Sequence, residues 1–183
     1  MLGRDKPLEL WAGESLVSHV LKSLPEGPVL ISANRSLADY QALGWPVVQD
    51  GTDTEYEGPL AGIAAVAKTM DPTEAQSWLY VVPGDAPKLP ADLATALYKR
   101  CKETNSPAAC VEAERVHPLP LLVRTDAAHS VHSYLNRGHR SVLGWLEELN
   151  HTRLSRTADE ALFANINTPE QLAHLNTTNP QNI

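Results

Sequence analysis

Short, continuous apolar runs alternate with stretches of helical periodicity, and that alternation limits the fold more than any other feature of the 183 residues. Pro28-Val29-Leu30-Ile31-Ser32-Ala33 is a run rich in β-branched residues, and Ser36-Leu37-Ala38-Asp39 follows with a capping-box pattern that opens a helix which Gly44 can close. Pro46-Val47-Val48-Gln49 reads as the next strand. After an acidic loop, the segment from Pro59 to Met70 carries Leu60, Ile63, Val66 and Met70 on one helical face, with Pro59 suited to the first turn. Trp78-Leu79-Tyr80-Val81-Val82 reads as a buried strand. It leads through Pro83-Gly84-Asp85-Ala86-Pro87 into a helix with Leu93, Leu97 and Cys101 on one face. Strands over 108–111 and 119–123, helices over 126–136 and 141–149, and a last helix from Thr168 complete the pattern. The expected architecture is α/β, a mostly parallel sheet with helices on both faces. The length suits one domain, residues 1–175, with 176–183 as a flexible tail.

Composition removes several alternatives. With 43% hydrophobic and 20% charged residues the chain is neither disordered nor fibrous, and no apolar run approaches the roughly 18 residues of a membrane span. The first residues lack the apolar stretch of a signal peptide, so the cytoplasm is the default location and no membrane partner is expected. Cys101 and Cys110 offer neither a disulfide framework nor a zinc ribbon, and both read as buried or neutral thiols. A formal charge of −7 opposes non-specific binding to nucleic acid. A small anionic ligand then needs a local cation or a bound divalent metal to offset the field of the whole molecule.

In sheets of this kind ligands bind beyond the carboxyl ends of the strands, so the polar residues just after each strand carry most weight: Asn34, Arg35, Asp50, Asp85, Asn165 and Asn167. Asp85 sits in a Pro-Gly turn where Asp is a common filler, and it is equally placed to bind Mg2+, which prefers oxygen donors. Asp50 has the same placement and the same two readings. Thr168, Pro169 and Gln171 are explained as a helix start, whereas Asn165 and Asn167 are two amides just ahead of a helix N-terminus, where anions are stabilised. Gly58-Pro59-Leu60-Ala61-Gly62 is either a tight loop with ordinary packing or a place where a ligand approaches the backbone. His129 and His132 lie one helical turn apart with no third ligand evident, and no Walker A, HExxH or GxSxG pattern is present.

Taken in order, Gly3-Arg4-Asp5-Lys6, Ala33-Asn34-Arg35, Asp50, Gly58-Pro59-Leu60-Ala61-Gly62, Pro83-Gly84-Asp85-Ala86-Pro87, His117-Pro118 and Asn165-Ile166-Asn167-Thr168-Pro169-Glu170-Gln171-Leu172 resemble the molybdenum cofactor guanylyltransferases. These belong to the nucleotidyltransferases with a Rossmann-like, nucleotide-diphospho-sugar-transferase fold. The GPLAG string separates the chain from the related cytidylyltransferases. At Gly84 many members carry Cys, a change that should leave metal ligation intact. The family signature starts with a strand ending in L-A-G-G-x-S-x-R-M-G-x-D-K, so the resemblance implies an N-terminal strand and Gly-rich phosphate loop upstream, about 15 residues.

The resemblance implies transfer of GMP from GTP to the phosphate of molybdenum-bearing molybdopterin, with release of pyrophosphate. It implies that Asp85 holds Mg2+, with Asn167 as a further ligand to metal or phosphates, and that Lys6 offsets triphosphate charge. Lys6 and Asp85 are thus the implied catalytic pair. Ser32, Asn34 and Asp50 fall to the nucleotide pocket, and Gly58, Pro59, Leu60 and Gly62 to its wall. His117, Arg140 and Asn165 are assigned to the pterin and phosphate side. GTP and molybdopterin are the implied ligands, and molybdoenzyme maturation proteins are implied partners. A cytidylyl- or sugar-nucleotidyltransferase of the same fold, or a truncated nucleotide-binding remnant, are the competing readings.

Overall fold

The computed structural model describes residues 5–50, 58–166, 168 and 170–173. Gly3, Arg4, Asn167, Pro169 and the expected tail at 176–183 lie outside the described residues.

A 3-10 turn, Lys6–Leu8, leads into a two-residue hairpin of β1 (Leu10–Trp11) and β2 (Glu14–Ser15), and α1 (Leu16–Ser23) follows at once. Ser15 caps α1, its Oγ accepting the amide of Ser18 at 3.2 Å, and Leu16, Val17 and Val20 form the buried face. The alternation in the sequence starts only at Pro28, so this N-terminal module is an addition to it. β3 (Ile31–Ser32), α2 (Leu37–Gln41) and β4 (Val47–Val48) form the first strand–helix–strand unit, with β3 and β4 parallel and Ile31 opposite Val47. The expected capping box at Ser36 does not form. Ser36 takes the left-handed conformation (φ 50°), and its carbonyl accepts the amides of Asp39 and Tyr40 at 3.0 and 3.2 Å, so the backbone closes the first turn instead.

α3 (Pro59–Ala67) begins, as expected, with proline in its first turn. β5 (Trp78–Val81), α4 (Leu93–Thr104), β6 (Ala108–Glu112) and β7 (Val116–Arg124) follow, then α5 (Thr125–Ala128), α6 (Ser130–Asn136), α7 (Val142–Glu148), β8 (Thr152–Ser155) and a 3-10 segment, Thr157–Phe163. The single helix expected over 126–136 is divided at His129. Ser130 Oγ donates to the Ala127 carbonyl at 2.7 Å, one of the local bonds that compete with a regular helix ladder.

The second sheet runs β5-β7-β6-β8 and is mixed, which corrects the expectation of a mostly parallel arrangement. β7 is antiparallel to both β5 and β6, and only β6 and β8 run parallel. The reason is connection length. Only residues 113–115 join β6 to β7, and a parallel pair needs a crossover of roughly a dozen residues. β7 begins before the expected Leu119 because the ladder jumps from Cys110 opposite Leu121 to Val111 opposite His117. That irregularity takes up Pro118 and Pro120, which lack the N–H a regular central strand needs.

Helices cover both faces, as expected. Cys110, Leu121, Val123, Leu79 and Val81 point to the side of α3, α5, α6 and α7, where Trp145 and Leu146 are buried. Ala109, Val111, Leu122, Trp78 and Tyr80 point to α4, against Leu93, Leu97 and Cys101. Burial pushes the thiol of Cys101 up to about 11 and that of Cys110 up to about 12, so both are neutral packing groups. β5, expected to be buried, is only half-buried at all four positions, because among the described residues it pairs with β7 alone. No helix of the described residues is long and apolar enough to cross a membrane.

Candidate active site

Asn34 and Asp50 follow two neighbouring parallel strands and lock together. Asn34 Nδ2 donates to Asp50 Oδ2 at 2.8 Å, and the Asp50 amide returns a bond to Asn34 Oδ1 at 2.9 Å. Ser32, the last residue of β3, donates to Asp50 Oδ1 at 3.4 Å. The carboxylate is therefore fixed in orientation while it keeps free acceptor capacity toward solvent. α3 closes over this cluster. A Cβ added to Gly62 would lie 2.5 Å from Ser32 Oγ and 3.8 Å from Asp50 Oδ1, so only glycine lets the helix approach so closely. Gly58 precedes α3 at φ 100°, a region that L side chains rarely adopt, and Pro59 and the buried Leu60 set the first turn of the wall.

Asp85 leaves β5 through the Pro-Gly turn and is half-buried. Burial pushes its carboxyl above the usual range, with its own backbone amide and Lys6 pulling the other way. The Lys6–Leu8 turn is what brings that cation close. A Cβ on Gly84 would lie 3.2 Å from Pro7 Cβ, so the bare glycine allows Pro7 to press onto the Asp85 turn. Asp5, beside Lys6, pairs with Arg35 at 3.0 Å and acts electrostatically on Tyr40, whose hydroxyl feels Asp85 as well. Residues 5 and 6 therefore bridge the β3 side of the site to the β5 side, and Ser32, Asn34, Asp50, Gly62, Lys6 and Asp85 share one end of the fold.

Asn165 arrives from the far side. The amide of its neighbour Ile166 donates to the Asp85 carbonyl at 2.9 Å. The expected helix start behind it forms, with Thr168 and Gln171 exchanging reciprocal side-chain-to-amide bonds of 3.1 and 3.2 Å. Asn167 lies outside the described residues. His117 is buried at the start of β7, with Nε2 2.9 Å from Glu160. Arg140 donates to the carbonyls of Leu135 and His139 at 3.0 and 2.8 Å, at the end of α6. Sequence reasoning passed over Pro7 and Glu160. Pro7 directly follows the Gly3-Arg4-Asp5-Lys6 motif without belonging to it, and nothing local marks Glu160.

A model of the MobA-like NTP transferase domain matches residues 1–152. The chain belongs to this family. Molybdenum cofactor guanylyltransferase of Serratia proteamaculans is 36% identical over 172 residues, covering 93% of this chain and 84% of that protein. The enzyme of the same name from Shewanella frigidimarina is 34% identical over 181 residues, covering 97% and 89%. Among solved structures, molybdopterin-guanine dinucleotide biosynthesis protein A of Archaeoglobus fulgidus superposes with a TM-score of 0.75 at 22% identity, covering 96% of this chain and 91% of that one. The 2-C-methyl-D-erythritol 4-phosphate cytidylyltransferase of Thermus thermophilus does so at 0.68 and 16%, covering 94% and 92%. These likenesses in structure show an α/β nucleotidyltransferase fold.

Proposed function

We propose that this protein transfers the GMP moiety of GTP to the terminal phosphate of molybdenum-bearing molybdopterin. A phosphate oxygen of the acceptor bonds to the α-phosphorus of GTP, the bridging α–β P–O bond breaks, and pyrophosphate leaves. Such a transfer asks little covalent chemistry of a protein; alignment and charge neutralisation do the work.

The observation that carries this reading is the convergence of Asp85, Lys6 and the Ser32–Asn34–Asp50 cluster at one end of the fold, in a chain whose near-full-length relatives bear that activity in their names. Asp85 suits a hard divalent cation: it is a half-buried carboxylate whose ionised form is short of solvation, and Mg2+ takes few protein carboxylates and many phosphate oxygens. Bound there, Mg2+ would neutralise charge on the transferring phosphates. Lys6 adds a second positive charge on the same side. Asp50, oriented by Asn34, presents carboxylate acceptors that complement the N1–H and N2–H donors of guanine; cytosine lacks this pair. Asn165, tethered beside Asp85, offers an amide to the acceptor phosphate. Arg140 and His117 remain assigned to the acceptor side on the resemblance, and Asn167 to the metal or phosphates.

The test is transfer from labelled GTP to molybdopterin, with CTP as competitor. GMP incorporation with little CMP supports the reading. Equal use of both nucleotides would assign the chain to a different donor class, and no binding of either would make it a remnant.

A further inference from the structure

After β8, at one edge of the four-stranded sheet, the chain must return across the strand ends to reach the loop beyond β5 at the other edge. The stretch from Arg156 to Ile166 does this as a strap with three ties. Its start is held at β6, where the Arg156 amide donates to the Glu112 carbonyl at 2.8 Å, and at the start of α4, where the guanidinium meets Asp92 at 2.9 Å. Its end is held at the active site, where the Ile166 amide donates to the Asp85 carbonyl at 2.9 Å. Between them stands Glu160, which meets Glu114 and Arg115 of the β6–β7 connection and His117 at the start of β7. Oε2 accepts the Glu114 amide at 3.1 Å and lies 2.9 Å from His117 Nε2, and Oε1 accepts from Arg115 Nε at 3.2 Å.

Among the described residues, Glu160 is the tie that holds the middle of the strap to the sheet through side-chain hydrogen bonds. Its 3-10 segment is interrupted at Asp159 (φ −115°, ψ 15°), and a 3-10 run of this length has little rigidity of its own. Phe163 is buried beside the His117 ring, but apolar burial is non-directional and leaves rotation about the segment open. The geometry points to Glu160 as a positioning residue for GMP transfer, setting through the strap the place where Asn165 and Ile166 meet the Asp85 loop. This rests on the function proposed above. It adds a residue that touches neither nucleotide nor acceptor.

Amide hydrogen exchange and transfer kinetics on the full chain test it together. In Glu160→Ala the Ile166 amide should exchange about tenfold faster while the amides of Leu121 to Val123 in β7 keep their protection. kcat for GMP transfer should fall about tenfold, as expected of a misplaced reacting group, with the equilibrium Kd for GTP within about twofold of wild type. Glu160→Gln, which keeps one acceptor oxygen and the same shape, should restore most of both. Unchanged exchange at Ile166, or faster exchange with unchanged kcat, would overturn the assignment. So would a parallel loss of GTP affinity and of β7 protection, the signature of general loosening. A wild-type chain that transfers no GMP would defeat the proposed function instead, and Ile166 exchange would still decide whether Glu160 fixes the strap.

Discussion

Ionised Asp85 is in an unfavourable place for folding and a favourable one for binding a cation. Its folded-state pKa lies above the unfolded one, so the protonated form contributes stability that is lost as pH rises through the folded value. At neutral pH the bare carboxylate therefore works against the fold. Asp85→Asn should leave the melting temperature equal or higher, and should lower GMP transfer by about a hundredfold or more if the charge holds the metal. Near-normal turnover at limiting Mg2+ would reduce Asp85 to a turn residue. Bonds from Asn34 and Ser32 fix the orientation of Asp50. Asp50→Asn keeps the shape and puts an amide donor where guanine presents donors. The expected result is weaker GTP binding and a smaller preference over CTP, read by competition; an unchanged preference would remove Asp50 from base selection.

The contact of α3 with β3 turns one missing side chain into a shape requirement. In Gly62→Ala the new methyl must displace Ser32 Oγ, 2.5 Å away, and with it a donor to Asp50. GTP affinity should drop with only a modest loss of stability; calorimetry showing wild-type affinity would mean that the helix moves aside freely. Residues 58–62 read in the sequence as either ordinary packing or a place for a ligand to approach, and the structure shows α3 packed on Ser32 at Gly62; most strands were legible, because continuous apolar runs mark them without knowledge of partners. Strand direction was misread: strands expected at 108–111 and 119–123 left residues 112–118 between them, and only the longer strands of the structure reduce the connection to 113–115, which forbids a parallel pair. The N-terminal module went unread, because its two-residue strands are too short for any period to show. The Thr168–Gln171 cap was readable because all its bonds are local. Glu160 was not, because its three partners lie more than forty residues away in the chain.

Over the whole molecule the titrating groups mostly work in one direction. Burial lowers His132 and His151, so stability should begin to fall as pH drops below about 6.5. Asp126, held down chiefly by Arg124, and Glu160, held down chiefly by His117, add a second loss at lower pH, below their ordinary carboxylate values. Thermal melts should show both stages; a flat profile from pH 7 to 4 would contradict these environments. Among the described residues β3 pairs with β4 alone and β5 with β7 alone, and residues 5 and 6 lie between the carboxyl-terminal sides of the two. Each strand thus has one edge whose N–H and C=O groups find no strand partner, at a cost of roughly 1 to 3 kcal/mol for each group that is also shut off from water. An upstream parallel strand carrying the L-A-G-G loop would pair both edges and aim backbone amides at the triphosphate, which the net charge of −7 otherwise repels. A version of the protein extended by such a segment should therefore melt at a higher temperature and bind GTP more tightly than residues 1–183. Equal melting temperature and equal affinity would mean that Lys6 and Asp85 serve a phosphate site already whole, and that the open edges of β3 and β5 belong to the working fold.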